Sequence, residues 1–116
     1  MINVYGLKNC DTCKKATAWL DELGAEHVFH DVRDEPLDEK TVSTWLKELG
    51  STTLVNRRGT TWRGLTPEQQ ANAAAVPAAC TLILEHPALM KRPVFDLGNE
   101  RLVGFGEDQR RAISKL

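Results

Sequence analysis

The spacing of apolar residues in the first part of the chain predicts a strand, a helix and a second strand. Residues 2–5 form a short segment that is rich in side chains favoured in sheets. Residues 12–23 carry apolar side chains three and four positions apart, as the buried face of a helix requires, and Gly24 is expected to end this helix. Residues 27–32 read as the second strand, so the order implies a parallel pair with a right-handed crossover. The apolar positions of the helix are Ala16, Trp19, Leu20 and Leu23.

The same helical period predicts a second helix over residues 39–49. Asp38 is placed to cap its start, and Gly50 is placed to end it. The next segment, residues 51–65, has no clear period and carries three arginines. We expect this segment to form an irregular basic loop.

Two further helices are predicted before the last quarter of the chain. Thr66 followed by Pro67 is typical of a helix start, and an Ala-rich segment continues from there to Val76. Pro77 is expected to begin a separate helix that stops before Pro87.

The C-terminal segment predicts a hairpin and a final helix. Residues 94–97 and 101–105 flank a glycine-containing turn, and residues 107–116 form the helix. The order β-α-β, helical middle, β-β-α predicts an α/β fold of the thioredoxin-like kind. Such a fold is a mixed four-stranded sheet flanked by helices, here with a helical insertion between strands 2 and 3 at about residues 37–91. We expect residues 1–116 to form a single domain.

Composition and charge narrow the classes of partner. Of the 116 residues, 41% are apolar and 27% are charged, which is ordinary for a soluble protein. The formal net charge of -1 gives no reason to expect nucleic acid or an anionic membrane as a partner. The start of the chain lacks the pattern of a signal peptide, and no apolar run approaches the length of a membrane span. We therefore expect a cytoplasmic monomer.

A Cys-x-x-Cys motif is the clearest chemical signal in the sequence. Cys10 and Cys13 fall between the first predicted strand and the first predicted helix. Free amide groups at a helix start stabilise negative charge and therefore favour a thiolate. Lys8, Lys14 and Lys15 add positive charge nearby. Cys13 lies one helical turn further on, close enough to attack a mixed disulfide on Cys10, so the motif indicates redox chemistry.

Three other interpretations of the cysteine pair stay open. A zinc site needs four ligands, and the remaining candidates show no paired spacing, so no metal site is expected. The pair could instead be inert core residues, or Cys13 could be incidental to a single-thiol mechanism. Asn9 and Thr12 flank Cys10 and could orient its loop through hydrogen bonds to the backbone. The remaining candidate zinc ligands are Cys80, His27, His30 and His86.

Four sequence blocks resemble a known family in the expected order. They are YGLKNCDTCKKA at residues 5–16, NRRGTTWR at 56–63, HPALMKRP at 86–93 and LVGF at 102–105. Together they span nearly the whole chain and resemble the arsenate-reductase-like (ArsC) family. The resemblance is to its YffB branch in particular, which is close to the Spx and MgsR regulators.

The resemblance implies a role for several residues. It implies a thioredoxin-like fold with a helical insertion, in which Cys10 is the nucleophile. It implies that the Arg92–Pro93 peptide is cis and faces Cys10. It also implies that Arg92 and either Arg57 or Arg58 bind an anion beside the cysteine, because the guanidinium group forks onto carboxylates and oxyanions. The other candidate substrate-binding residues are Lys8, Asn9 and Thr12.

The resemblance also ranks the possible functions. A third arginine of the family is replaced here by Gly104, which weakens the expected grip on a compact tetrahedral anion. The first expectation is therefore a thiol-disulfide reductase that takes glutathione as co-substrate and holds no bound cofactor. One alternative is an arsenate reductase supplied with electrons by glutathione and glutaredoxin. Another is a Spx-like redox-sensing regulator that binds RNA polymerase.

Overall fold

The computed structural model describes all residues from Met1 to Leu116. The chain divides into two compact units. One unit comprises residues 1–35 and 92–116, and the other comprises residues 36–91. The expectation of a single domain over the whole chain stays a prediction.

The first unit contains a four-stranded mixed sheet with the strand order β2-β1-β3-β4. Strand β1 pairs in parallel with β2 and antiparallel with β3, and β3 pairs antiparallel with β4. The predicted α/β fold, a mixed four-stranded sheet with helices, is therefore confirmed. The strands and helices of this unit are β1 (Ile2–Gly6), α1 (Asp11–Leu23), β2 (His27–Asp31), β3 (Val94–Asp96), β4 (Arg101–Val103) and α7 (Glu107–Ser114).

The core of the first unit lies on one face of this sheet. Side chains alternate along β1, so that Ile2, Val4 and Gly6 are buried while the residues between them are half-buried. Helices α1 and α7 cover the buried face. The cluster consists of Ile2, Val4, Ala16, Leu20, Phe95 and Ile113.

Two of the apolar positions predicted for α1 differ from the expectation. Leu23 was expected on the buried face but is 47% exposed, because it lies in the last turn of the helix. Trp19 is only half-buried, and its ring meets the edge of Phe105 at a centroid distance of 5.6 Å. Gly24 ends the helix as expected, in the left-handed conformation with φ +68°.

The second unit is helical. Asp38 caps α2 by accepting a 2.7 Å hydrogen bond from the Thr41 amide. Apolar side chains of α2 and α6 are buried, among them Trp45 and Cys80. Its elements are α2 (Glu39–Leu49), α3 (Ser51–Leu54), α4 (Thr60–Arg63), α5 (Pro67–Asn72), α6 (Val76–Glu85) and a 3₁₀ turn (Pro87–Leu89).

The expectation of an irregular loop over residues 51–65 is wrong in part. Two single-turn helices, α3 and α4, form there directly after Gly50 and Gly59. Helix α5 ends at Asn72, earlier than the predicted Val76. Its start is as expected, since Thr66 forms a capping box with Gln69.

The C-terminal elements are shorter than their predicted ranges. Strands β3 and β4 have three residues each, and the turn between them uses Gly98 at φ +94°. The last helix ends at Ser114. No helix of the chain combines the length and the apolar character that crossing a bilayer requires.

Candidate active site

Cys10 lies at the start of α1 and is the N-cap residue of that helix. Its backbone is held on both sides, because its amide donates to the Leu7 carbonyl at 3.2 Å and its carbonyl accepts from the Lys14 amide at 3.0 Å. Its side chain is half-buried. The fold therefore presents this sulfur at the positive end of a 13-residue helix, where an anion is favoured.

Opposing influences set the acidity of Cys10. Burial raises the pKa of the thiol. The pKa is lowered by hydrogen bonds from the Cys13 backbone and side chain, and by the hydrogen bond and the charge of Arg92. Together these effects outweigh burial. The pKa of Cys10 is therefore held below the ordinary value for a cysteine.

Cys13 has the opposite character. Its side chain is 1% exposed, and this burial is the main reason that its pKa rises to about 12. The Leu7 backbone amide opposes that rise, while hydrogen bonding and charge at Cys10 add to it. Cys13 is therefore a neutral thiol at physiological pH, able to donate its S–H to an ionised Cys10. Neither cysteine is in a disulfide.

Arg92 and Pro93 lie directly before β3. The Arg92–Pro93 peptide is cis, as the resemblance implies. Pro93 is fully buried, and its carbonyl accepts a 2.8 Å hydrogen bond from the Gly104 amide at the end of β4. Arg92 is half-buried and interacts with the Cys10 sulfur through hydrogen bonding and charge. Whether Pro93 faces Cys10 stays a prediction.

One of the three lysines expected to add positive charge near Cys10 is engaged elsewhere. The Lys8 ammonium pairs with the Asp34 carboxylate, and the hydrogen bond between them raises the pKa of Lys8. The Lys8 backbone amide donates to Asp31 at 2.8 Å. The loop before Cys10 is thus fixed to the loop after β2, and the charge of Lys8 is balanced by a carboxylate. Asn9 and Thr12 are exposed and their side chains make no hydrogen bond.

The helical unit contains its own basic pocket of about 410 Å³. The pocket holds three cations, and no carboxylate lies within ion-pair distance of them. The Arg57 guanidinium lies 5.5 Å from the centre of the Trp62 ring, and Arg63 donates to the Arg58 carbonyl at 3.2 Å. Both candidate arginines therefore share one pocket. Its lining residues are Thr52, Val55, Arg57, Arg58 and Lys91.

One residue of the site was missed in the sequence. A Cβ atom placed on Gly6, at the end of β1, would lie only 2.4 Å from the Cys13 sulfur. A glycine within a strand often marks a close approach of other atoms, but the predicted strand ended at residue 5 and so excluded Gly6, whereas β1 includes it. The structure holds no group of three or more His, Cys, Asp or Glu side chains arranged to bind a metal ion.

Comparison with known sequences places this geometry in a family. The family model described as ArsC matches residues 5–113. An uncharacterised protein of Haemophilus influenzae is 42% identical over 112 residues, which is 97% of each chain. The global transcriptional regulator Spx of Bacillus subtilis is 31% identical and matches 96% of this chain and 85% of its own.

Comparison with solved structures gives the same result. A protein named YFFB superposes with a TM-score of 0.89 at 41% identity, covering 97% of both chains. An arsenate reductase (ArsC) related protein from Brucella melitensis superposes with a TM-score of 0.78, also at 41% identity. That match covers 99% of this chain and 95% of the Brucella chain.

Proposed function

The chain belongs to the ArsC family, and from this premise we propose that it is a glutathione-dependent thiol-disulfide reductase whose nucleophile is Cys10. One observation carries the proposal. A half-buried sulfur at a helix start interacts with the backbone amide of Cys13, the thiol of Cys13 and the guanidinium group of Arg92. All three favour its thiolate, the form of cysteine that attacks sulfur.

The proposed reaction proceeds by thiol-disulfide exchange. The Cys10 thiolate attacks one sulfur of a substrate disulfide, the substrate S–S bond breaks, and one substrate thiolate leaves with the electron pair. A mixed disulfide on Cys10 remains. A glutathione thiolate then attacks it and releases the second substrate thiolate, and a second glutathione regenerates the Cys10 thiolate. In total, one disulfide is reduced to two thiols while two glutathione molecules become one glutathione disulfide.

Cys13 suits the role of hydrogen-bond donor better than that of resolving nucleophile. Burial is the main cause of its raised pKa, and this cause persists when Cys10 is in a mixed disulfide. Thiolate formation at Cys13 therefore stays unfavourable through the reaction cycle. We assign the resolving step to external glutathione for this reason.

The cations of the chain are compatible with glutathione, which carries two carboxylates. Arg92 interacts with the Cys10 sulfur in the first unit, and the pocket of Arg57, Arg58 and Lys91 in the second unit contains no carboxylate partner. Arginine binds carboxylates with two parallel hydrogen bonds. These residues are our candidates for substrate binding.

Arsenate reduction is the weaker candidate. It is favoured by the likeness to the arsenate reductase related protein of Brucella melitensis. The third family arginine would have to stand at Gly104, whose φ of +89° is unfavourable for any side chain. The local backbone therefore favours glycine where arsenate chemistry would use a cation.

A regulatory function is the second candidate from another class. The Spx relatives are named transcriptional regulators, and the one from Bacillus subtilis matches nearly the whole of this chain. A pull-down against RNA polymerase with the reduced and the oxidised protein tests it. Binding that depends on the redox state would favour regulation, and no binding in either state would remove this candidate.

A reductase assay tests the main proposal. The substrate is a mixed disulfide of glutathione with a small thiol, and glutathione disulfide formation is followed through NADPH and glutathione reductase. We expect Cys10→Ser to abolish turnover and Cys13→Ala to retain it at a reduced rate. Cys80→Ala serves as the matched control, because Cys80 is a buried cysteine of the helical unit. Turnover that survives Cys10→Ser would disprove the assigned nucleophile.

A further inference from the structure

We propose that Gly6 is a positioning residue of this site: because it has no side chain, the Cys13 sulfur lies against the end of β1, from where its thiol reaches Cys10. The inference rests on the proposed role of Cys10 as the nucleophile. It adds a residue in another element, before the motif in the sequence, that acts on Cys10 only through Cys13.

The space that a side chain at Gly6 would need is occupied mainly by the Cys13 sulfur. A Cβ at this position would lie 2.4 Å from the Cys13 Sγ, a distance that real Cβ atoms essentially never show. The next atoms are Cε1 of Phe29 at 3.4 Å and Cβ of Cys13 at 3.5 Å, which are ordinary contacts or close to them. A methyl group at residue 6 therefore conflicts with the sulfur and with little else.

The backbone of Gly6 is poorly placed to move away. Gly6 is in parallel register with Asp31, and its carbonyl accepts a 2.9 Å hydrogen bond from the Val32 amide. The carbonyl of the next residue, Leu7, accepts a hydrogen bond from the Cys10 amide. Displacement of this strand end would strain both bonds.

The Cys13 side chain can move more easily than the strand. Its sulfur is the end of a side chain with a single rotatable bond. An open cleft of about 250 Å³ also borders Cys13, between α1 and β2. We therefore expect Gly6→Ala to be accommodated by rotation of Cys13, which carries the sulfur away from its present position. The cleft is lined by Lys8, Cys13, Lys14, Thr17, His27 and Phe29.

The consequence falls on the acidity of Cys10. The groups that favour its thiolate are the Cys13 amide and thiol on α1 and Arg92 before β3, while Lys8 in the preceding loop is paired with Asp34. Rotation of Cys13 removes only the thiol from this set. Gly6→Ala should therefore raise the apparent pKa of Cys10 towards the ordinary value, to the same extent as Cys13→Ala.

A double-mutant cycle tests the inference. The rate of Cys10 alkylation by iodoacetamide is measured against pH for the wild type, Gly6→Ala, Cys13→Ala and the double variant, each also carrying Cys80→Ala. Gly64→Ala is the matched control, because a Cβ there meets nothing closer than 3.5 Å. Stability to urea is measured for the same set of variants.

We expect equal upward shifts of the apparent Cys10 pKa in Gly6→Ala, Cys13→Ala and the double variant, and no shift in Gly64→Ala. We also expect Gly6→Ala to reduce stability in the presence of Cys13 and to have little effect in its absence. A further outcome is that Gly6→Ala is unable to fold while the double variant folds. That result would show that the alanine methyl group clashes with the Cys13 sulfur, because removing the sulfur restores folding.

Three results would overturn the inference. One is an unchanged Cys10 pKa in folded Gly6→Ala, and another is a Cys10 pKa that rises further in the double variant than in Cys13→Ala alone. The third is a double variant that is as unstable as Gly6→Ala, since the glycine would then be needed by the backbone. A wild-type Cys10 pKa at the ordinary value is a separate outcome, which would contradict the proposed function itself.

Discussion

Arg92 provides the sharpest test of how the site activates Cys10. It interacts with the Cys10 sulfur through a hydrogen bond and through its charge, and it is half-buried, so its charge is less screened than that of an exposed lysine. Arg92→Met keeps an unbranched side chain but removes both the charge and the donors. We expect the apparent pKa of Cys10 to rise in this variant.

The size of the effect on rate is bounded by ionisation. A cysteine of ordinary pKa, about 8.5, is only about 3% ionised at pH 7, so complete loss of stabilisation lowers the thiolate population at most about 30-fold. The thiolate that remains is more basic and more nucleophilic, with a Brønsted slope of about 0.4–0.5, which offsets part of the loss. Arg92 is one of three stabilising groups, so we expect a several-fold slower alkylation at pH 7. At about pH 10 both proteins are mainly ionised and the difference should disappear or reverse.

The assay is the alkylation rate of Cys10 from pH 5 to 10, in proteins that carry Cys80→Ala. Arg101→Met is the matched control, because Arg101 is another half-buried arginine of the same unit, and it lies near Asp96 at 3.6 Å. Arg92→Lys should give an intermediate pKa, since it keeps the charge but loses the forked donor. The reasoning is refuted if Arg92→Met has the wild-type midpoint, or if Arg101→Met shifts it equally.

Two further predictions concern the core and the basic pocket. Phe95 is fully buried between Val4 and Leu102 in the sheet register, so Phe95→Ala should lower the free energy of unfolding by about 3–5 kcal/mol in urea denaturation. A loss below about 1 kcal/mol would contradict its place in the core. The double variant Arg57→Gln/Arg58→Gln should raise the KM for glutathione with little change in kcat. Lys40→Gln, an exposed cation of the same unit, is its control, and an unchanged KM would exclude this pocket as a glutathione site.

The strongly periodic elements could be predicted from the sequence because several local signals agree there. Asp38 and Gly50 bracket α2 as expected, and Gly24 ends α1 in the conformation that favours glycine. The single-turn helices α3 and α4 could not be found, because four residues are too few to show a 3.6-residue period. The exposure of Leu23 was missed because the period gives the face of a helix and not how far its neighbours extend along it.

The parts of the candidate site that follow from neighbouring elements in the sequence could be predicted. The parts that depend on contacts between distant residues could not. The position of Cys10 at a helix start follows from the adjacent strand and helix. The ion pair of Lys8 with Asp34 joins residues that are 26 positions apart, so the local sequence around Cys10 could not predict it. The interaction of Arg92 with Cys10 joins two distant parts of the chain, and only the family resemblance indicated it.

Burial explains why two cysteines three residues apart take opposite characters. Both lie in the first turn of one helix, so the helix start by itself would favour ionisation of either. Cys13 faces β1 and is enclosed, and desolvation therefore outweighs the nearby amide and keeps it neutral. A neutral, fully buried thiol beside a half-buried thiolate acts first as a hydrogen-bond donor, so the spacing Cys-x-x-Cys does not by itself establish a dithiol mechanism. The residue that faces the second cysteine from the strand decides how deeply its sulfur is enclosed, and here that residue is Gly6.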